Sequence, residues 1–151
     1  MMNSIFTNSG LPLGVPTIPE QADFVIENGV KFWHKHLSNI SDKASIGWGT
    51  VVHAGVHIHD QVHISKNCQI EAMAFLPNGV ILQDKVFIGP GVIFTNDPKL
   101  DTPRAEWQPT KTLVKQGAKI GAGAIIRAGV VIGENAVVGM GSVVLQDVPD
   151  N

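Results

Sequence analysis

The sequence predicts an all-β chain wound into a parallel β-helix, because it repeats every six residues, keeps one repeat position small and is rich in glycine. The chain has 151 residues, of which 16 are glycine and none is tyrosine. This length is sufficient for one domain with a hydrophobic core. The composition favours a repetitive backbone.

The repeat places a large apolar residue at its first position and a small residue at its fifth. The first positions are Ile40, Ile46, Val52, Ile58, Ile64, Ile70, Leu76, Leu82, Ile88 and Phe94, then Val114, Ile120, Ile126, Ile132, Val138 and Val144. The fifth positions are Ala44, Thr50, Val56, Val62, Cys68, Ala74, Val80, Val86 and Val92, then Ala118, Ala124, Val130, Ala136, Ser142 and Val148. A period of six fits neither the 3.6-residue period of an amphipathic helix nor the period of two of a simple strand.

Three hexads form one triangular coil of 18 residues, with the large first-position residue pointing into the prism. Coils stack at the strand spacing of about 4.8 Å, so residues that are 18 apart form ladders. Sixteen hexads predict about five coils and one domain over residues 40–151. Glycine at the second hexad position, as at Gly89, Gly121 and Gly139, eases the turns.

Residues 1–39 lack the repeat and are predicted to form an irregular segment that caps the first coil. Its second half has two alternative structures. Thr17 and Glu20 have capping-box spacing, which favours a helix over about 18–28. The dipeptide Asn28-Gly29 favours instead a hairpin, with the sequences FVI and VKFW as its strands.

The frame breaks once, between Phe94 and Val114, where it advances by one hexad plus a 14-residue insertion. The break predicts a protruding loop over 95–113, which is polar and carries three prolines, Arg104 and Trp107. A loop thrown out of a regular solenoid usually lies at the binding face. The alternative is a surface insertion without a role.

Charge, hydropathy and cysteine content exclude several classes of protein. The net charge of −2 gives no electrostatic basis for binding nucleic acid. The sequence contains no apolar run of about 18 residues, which a membrane-spanning helix would require. The start MMNSIFTNSGLPLG does not resemble a secretion signal. The single cysteine fits a reducing compartment. The sequence therefore predicts a cytoplasmic protein.

Three segments carry a family resemblance: VFIGPGVIFTND from Val86, PRAE from Pro103 and TLVKQGAKIGAGA from Thr112. With the hexads, they resemble the hexapeptide-repeat acyltransferase superfamily, and within it the enzymes that N-acetylate nucleotide-linked 3-amino sugars for surface polysaccharides. The resemblance implies a left-handed parallel β-helix, a homotrimer and acetyl-CoA as co-substrate.

The resemblance also implies where acetyl-CoA binds, in a groove between adjacent subunits. Its amide groups would meet the backbone near Gly121, Ala122 and Gly139. Its phosphates would meet cations, for which the candidates are Lys111, Lys115 and Arg127. Each of these cations is alternatively a solvated surface charge.

The FTND and PRAE segments supply candidates for the acceptor side. By resemblance, Asn96 would hold the sugar nucleotide or the reacting amine, although an asparagine can also cap a loop turn. His57 matches a histidine common in this group of enzymes. Asp97 and Arg104 are expected to contact the sugar nucleotide.

The ladder itself suggests a catalytic pair, since His53 and Glu71 share a hexad position one coil apart. A histidine oriented by a carboxylate is a competent general base for acetyl transfer. The alternative is an ordinary exposed cross-strand pair. His53, His57, His59 and His63 do not have the spacing of the interfacial zinc site of γ-class carbonic anhydrases, because no histidine follows His63. No metal is expected.

Two departures from the related enzymes are visible. Those enzymes carry an asparagine near the reacting amine in the hexad corresponding to Ile70–Phe75, which has none here. They also continue beyond the VPDN that ends at Asn151, so this chain is expected to be a fragment or a short member.

The sequence thus predicts acetyl transfer from acetyl-CoA to the amino group of a nucleotide-linked amino sugar. The alternatives are a sugar O-acetyltransferase of the same fold and a non-catalytic β-helix scaffold. The sugar, the nucleotide and the acyl chain length are left open.

Overall fold

The computed structural model describes residues 23–99, 101 and 103–151. Within them the chain forms eighteen short strands and one 3₁₀ turn, at Lys35–Leu37. The strands are β1 Phe24–Glu27, β2 Val30–Trp33, β3 Asn39–Ile40, β4 Ser45–Ile46, β5 Val51–Val52, β6 His57–Ile58, β7 His63–Ile64, β8 Gln69–Ile70, β9 Phe75–Leu76, β10 Val80–Leu82, β11 Phe87–Ile88, β12 Ile93–Phe94, β13 Thr112–Val114, β14 Lys119–Ile120, β15 Ile125–Ile126, β16 Val131–Ile132, β17 Val137–Val138 and β18 Val143–Val144. In this part of the chain, no helix is long and apolar enough to cross a membrane.

The strands build three sheets that form the faces of a prism. Sheet 1 has the order β1-β2-β5-β8-β11-β14-β17, sheet 2 the order β18-β15-β12-β9-β6-β3, and sheet 3 the order β16-β13-β10-β7-β4. Every pairing except that of β1 with β2 is parallel, because each strand pairs with the strand one coil away. The predicted fold class is confirmed: an all-β parallel solenoid of hexapeptide repeats with about six turns, consistent with the left-handed β-helix.

The core is a stack of first-position side chains along the axis of the prism. From Ile58 to Ile132 every one of them is at most 1 % exposed. Ile40 and Ile46 are only partly buried, since they line an open cavity of about 340 Å³ at the end of the first coil. Even the buried hydroxyl of Thr50 is satisfied, because it donates to the carbonyl of Ser65 at 3.1 Å and accepts from the amide of Cys68.

Phe24–Glu27 and Val30–Trp33 form the hairpin, and the part of the alternative helix before Asp23 lies outside the described residues. β1 and β2 pair antiparallel around Asn28 and Gly29, whose φ angles are 50° and 77°. Positive φ at both central residues is typical of a type I′ turn, whose twist matches the strands. β2 in turn pairs in parallel with β5, so parallel stacking already includes Val30–Trp33.

The predicted insertion lies between β12 and β13. Val80 pairs with Thr112 and Leu82 with Val114, which are separations of one coil plus 14 residues. The backbone amide of Thr110 donates to the carbonyl of Asn96 at 3.0 Å and closes the base of the loop. The insertion therefore leaves the register of the coils above and below unchanged.

We expect that Val130→Asp will destabilise the protein by several kcal/mol, because Val130 is 4 % exposed in a prism too narrow to hydrate a carboxylate. Val137→Asp is the matched control, since Val137 points outward and is 66 % exposed. Urea unfolding monitored by circular dichroism measures both. Equal stability of the two variants would show that the inward register is wrong.

Candidate functional site

The coil turns at three corners, each of which stacks the same hexad positions along one edge of the prism. The first corner follows the strands of sheet 1, the second follows sheet 2 and the third follows sheet 3. The protruding loop is an expansion of the second corner, since it leaves β12 of sheet 2. Residues at one corner are neighbours, whereas residues at different corners lie on different edges.

One column at the first corner contains both a predicted catalytic pair and predicted cofactor contacts. The strand register places these second-position residues directly above one another: Trp33, His53, Glu71, Gly89, Gly121 and Gly139. The lower part of the column carries large side chains and the upper part carries none. We call the upper part, with its neighbours Ala122 and Met140, the glycine strip.

The predicted proximity of His53 and Glu71 is confirmed, with His53 Nε2 lying 3.7 Å from Glu71 Oε1. The two side chains are 31 % and 22 % exposed, so both remain accessible to a reactant. A separation of 3.7 Å is longer than a hydrogen bond. Catalytic hydrogen bonds commonly tighten only when substrate is bound.

Neighbouring side chains hold this pair from two sides. Gln69 donates from Nε2 to Glu71 Oε1 at 2.6 Å, which orients the carboxylate. The indole of Trp33 stacks on the imidazole of His53, with ring centroids 6.2 Å apart and planes 17° apart. The pair is thus supported below by an aromatic ring and above by the start of the glycine strip.

The glycines of the strip differ in whether close packing of the coils excludes a side chain at their position. A methyl group on Gly89 would lie 2.7 Å from the backbone nitrogen of Ala122, and one on Gly121 would lie 2.5 Å from that of Met140. Stacking of the coils therefore excludes side chains at both positions. At Gly139 a methyl group would meet only Ser142 Oγ, at 3.5 Å, which is ordinary contact. The result is a column of bare backbone from Gly89 to Gly139, on which Ala122 and Gly139 are exposed, with the exposed side chain of Met140 beside its upper end.

The predicted phosphate-binding cations do not share this corner. Lys115 lies at the third corner, where its amine bonds to Asp150 Oδ1 at 3.0 Å. The backbone amide of Glu134, and then Lys115, hold the pKa of the Asp150 carboxyl below its ordinary value. Arg127 lies at the second corner, with Nη1 3.5 Å from the carbonyl of Leu145. Lys111 is exposed where the loop returns to β13.

Asn96 lies at the second corner, at the base of the loop. It is half-buried, and its side-chain amide has no hydrogen-bond partner among the described residues. The turn is capped instead by Asp97, whose Oδ1 accepts from the amide of Lys99 at 2.9 Å. The alternative role of Asn96 as the cap of this turn is therefore not observed, whereas the carboxylate of Asp97 is engaged in the turn.

Sequence reasoning missed two polar residues, Asp60 and Asn78, that share this corner with Asn96. Asp60, Asn78 and Asn96 occupy the same hexad position in successive coils, and His59 precedes Asp60. His59, Asp60 and Asn78 line a polar depression of about 310 Å³. The hydroxyl of Ser41, and then the amine of Lys43, hold the pKa of the Asp60 carboxyl below its ordinary value. The same 18-residue ladder that paired His53 with Glu71 would have found this column.

The remaining acceptor candidates lie apart from one another. His57 points outward from sheet 2, with its ring centroid 6.1 Å from that of Phe75. Arg104 is exposed within the loop. Within one chain the structure thus brings together His53, Glu71 and the glycine strip, and separately Asn96, Asp97 and Arg127. The two groups occupy different edges of the prism.

Comparison with known proteins agrees with the repeat. Residues 111–146 match a family model described as bacterial transferase hexapeptide (six repeats). The chain carries the bacterial transferase hexapeptide repeat. The predicted hexapeptide repeat is confirmed by this match, and the solved structures described next share the fold. A comparison of this hexapeptide-repeat chain with curated proteins finds no match.

Several solved structures share the fold. The acetyltransferase domain of PglB from Neisseria gonorrhoeae, in complex with acetyl coenzyme A, is 23% identical over 82% of this chain and 52% of its own, with a TM-score of 0.68. A variant of perosamine N-acetyltransferase from Caulobacter crescentus, with CoA and GDP-perosamine, is 28% identical over 76% of this chain and 48% of its own, with a TM-score of 0.65. AntD, an N-acyltransferase from Bacillus cereus, with dTDP and 3-hydroxybutyryl-CoA, is 23% identical over 81% of this chain and 72% of its own, with a TM-score of 0.70. The hexapeptide-repeat chain spans about half the length of the first two.

We expect that Gly121→Ala will lower the free energy of unfolding by about 1–3 kcal/mol, because its methyl group collides with backbone that cannot rotate away. Gly139→Ala should change it by less than about 0.5 kcal/mol, since its methyl group meets no backbone. Urea unfolding compares the two variants with the parent. If Gly121→Ala is also neutral, close stacking is not the reason for the glycine strip.

Proposed function

We propose that this protein transfers an acetyl group from acetyl-CoA to the amino group of a nucleotide-linked amino sugar. One observation carries the proposal: the glycine strip runs along a single column into the His53–Glu71 pair. Solved neighbours of this fold include N-acyltransferases in complex with CoA compounds, two of them also with a nucleotide or a nucleotide sugar. The likeness of these neighbours supports the same class of reaction here.

The glycine strip suits the extended arm of CoA. Bare backbone allows a chain with amide groups to lie close enough to bond to peptide groups, which a side chain would prevent. An arm that lies on Gly139, Ala122 and Gly121 and points down the column brings its thioester towards Glu71 and His53. Lys111 and Arg127 are candidates for the phosphates, whereas Lys115 would first have to leave Asp150.

The chemistry asks little of the protein beyond orientation and one proton transfer. The sugar amine attacks the thioester carbonyl, a C–N bond forms, the C–S bond breaks and CoA leaves as its thiol. His53 accepts the proton that the amine loses and then donates it to the departing sulfur, while Glu71 keeps the imidazole oriented. A donor at the developing oxyanion would come from backbone amides of the strip.

Asn96 completes the site from a second copy of the chain. Because Asn96 and the His53 column lie on different edges of one prism, they can act together only if the loop of one subunit reaches the first corner of another. The outer face of sheet 2 offers an apolar row for such packing, with Ile93, Ile125 and Val143 each at least 40 % exposed. A homotrimer would bury three copies of such a row by symmetry.

The location and pathway follow from the substrates. CoA thioesters and nucleotide sugars are intracellular metabolites, so the reaction belongs in the cytoplasm. An N-acetylated nucleotide sugar is a building block for surface polysaccharide, and this is the pathway that we propose.

Asn96→Ala should lower kcat/KM for the sugar nucleotide by about ten- to a thousandfold, the usual effect of losing one hydrogen-bonding group at a reacting centre. CoA affinity should hardly change, because the proposal assigns Asn96 to the sugar nucleotide and the glycine strip to CoA. His53→Ala should have a comparable effect on turnover, and His63→Ala, which removes an exposed histidine on sheet 3, should have none. An active enzyme that is indifferent to both Asn96→Ala and His53→Ala would show that the site lies on another face.

A thiol-release assay with acetyl-CoA and matched amino and hydroxy sugars separates the three candidate functions. Turnover of the nucleotide-linked amino sugar, and not of its hydroxyl analogue, is the expected result. Turnover of the hydroxyl analogue alone would indicate an O-acetyltransferase. If CoA binds and neither sugar reacts, or if CoA does not bind, the scaffold alternative gains support. Gly139→Ala should weaken CoA binding in the same assay while leaving the fold intact.

A further inference from the structure

Three potential metal ligands meet at the open end of the hairpin, away from the columns described above. Asp23 precedes β1, whereas His34 and His36 follow β2. Because Phe24 pairs with Trp33 across the hairpin, the flanking residues Asp23 and His34 face each other. The backbone amide of His34 donates to the carbonyl of Asp23 at 2.8 Å, which fixes their separation.

The distances fit a small cation with nitrogen and oxygen ligands. Asp23 Oδ2 lies 3.3 Å from His34 Nδ1 and 3.9 Å from His36 Nδ1. One ligand atom from each residue lies within 4.8 Å of the other two. Tetrahedral zinc with bonds of about 2.0–2.1 Å requires ligand atoms roughly 3.3 Å apart. The first distance already meets this requirement, and rotation of the exposed His36 side chain shortens the second.

The local charges favour a cation here. One carboxylate and two imidazoles form the cluster. Lys35, which lies between the two histidines in the sequence, directs its amine away from the cluster. Lys35 bonds to Glu27, and its amine lies 5.0 Å from the ring centroid of Phe32. His34 adopts the left-handed conformation, with φ 46° and ψ 51°, and its side chain caps nothing in the following turn. The conformation that carries its imidazole towards Asp23 is one that a residue other than glycine rarely adopts.

We propose that Asp23, His34 and His36 form a zinc-binding site, with the fourth position of the tetrahedron open to water. Two imidazoles and one carboxylate suit zinc, whereas magnesium and calcium prefer oxygen ligands throughout. Bound zinc would cross-link the start of β1 to the turn after β2, and would thereby fasten the hairpin at the end of the β-helix. The proposal departs from the expectation from sequence that no metal binds, which was argued from the histidines of residues 53–63 and not from these three residues. The proposal is independent of the acetyl-transfer reaction.

Calorimetric titration of the untagged protein with zinc chloride, in a buffer that does not chelate metals, tests the site. One zinc per chain is the expected result. Asp23→Asn, His36→Gln and His34→Asn should each weaken binding at least about tenfold, since loss of even an outer-shell partner costs 10–100-fold. Asparagine is chosen at position 34 because it tolerates a positive φ. His63→Gln, which removes an exposed histidine outside the cluster, should bind zinc as the parent does.

A second measurement separates loss of the site from loss of the fold. Zinc should raise the melting temperature of the parent and of His63→Gln, because it binds only the folded chain, and should leave those of the three cluster variants unchanged. The zinc-free variants should melt with the parent, since all three side chains are exposed. Absence of binding by the parent, or binding that persists undiminished in all three cluster variants, would overturn the proposal.

Discussion

Hydrogen bonding between successive coils is the interaction on which the rest of the structure depends. The strands that follow β2 are only two or three residues long, so they could not form a sheet by local pairing alone. The amide of His53 donates to the carbonyl of Ile70, and that of Glu71 to the carbonyl of Ile88, and this pattern repeats at every corner. This pattern places each residue directly above the residue at the same hexad position in the coil below. It therefore determines which side chains fill the prism and which form columns outside it.

The columns explain why this fold can support chemistry with few side chains. At the first corner, large residues occupy the lower coils and glycines the upper ones, so one edge of the prism changes from the His53–Glu71 pair to bare backbone. At the second corner, Asp60, Asn78 and Asn96 form a polar column that ends where the loop emerges. Under the proposed function, these two edges carry complementary halves of one site, and the proposed oligomer would bring them together.

The sequence predicted much of the fold, because a strict period leaves little freedom. It located the inward residues, the insertion and the closeness of His53 and Glu71, since all three follow from counting along an 18-residue ladder. It left open the choice between helix and hairpin before Ile40, where no period applies and the turn at Asn28-Gly29 competes with a capping-box pattern. It could not foresee that Lys115 is bonded to Asp150, because that contact joins residues that no repeat relates. Nor did it find Asp60 and Asn78, although their spacing contained the information.

The loop between β12 and β13 shows that, in this architecture, the length of a corner loop does not affect the register of the strands. Fourteen extra residues leave the solenoid and return to it with Leu82 still opposite Val114. A backbone hydrogen bond from the amide of Thr110 to the carbonyl of Asn96 closes the base of the loop. Such a corner is a natural graft point: a foreign peptide of different length could replace the loop without moving any neighbouring strand. Each of the three edges of the prism would then offer separate insertion sites, which recur once in every coil.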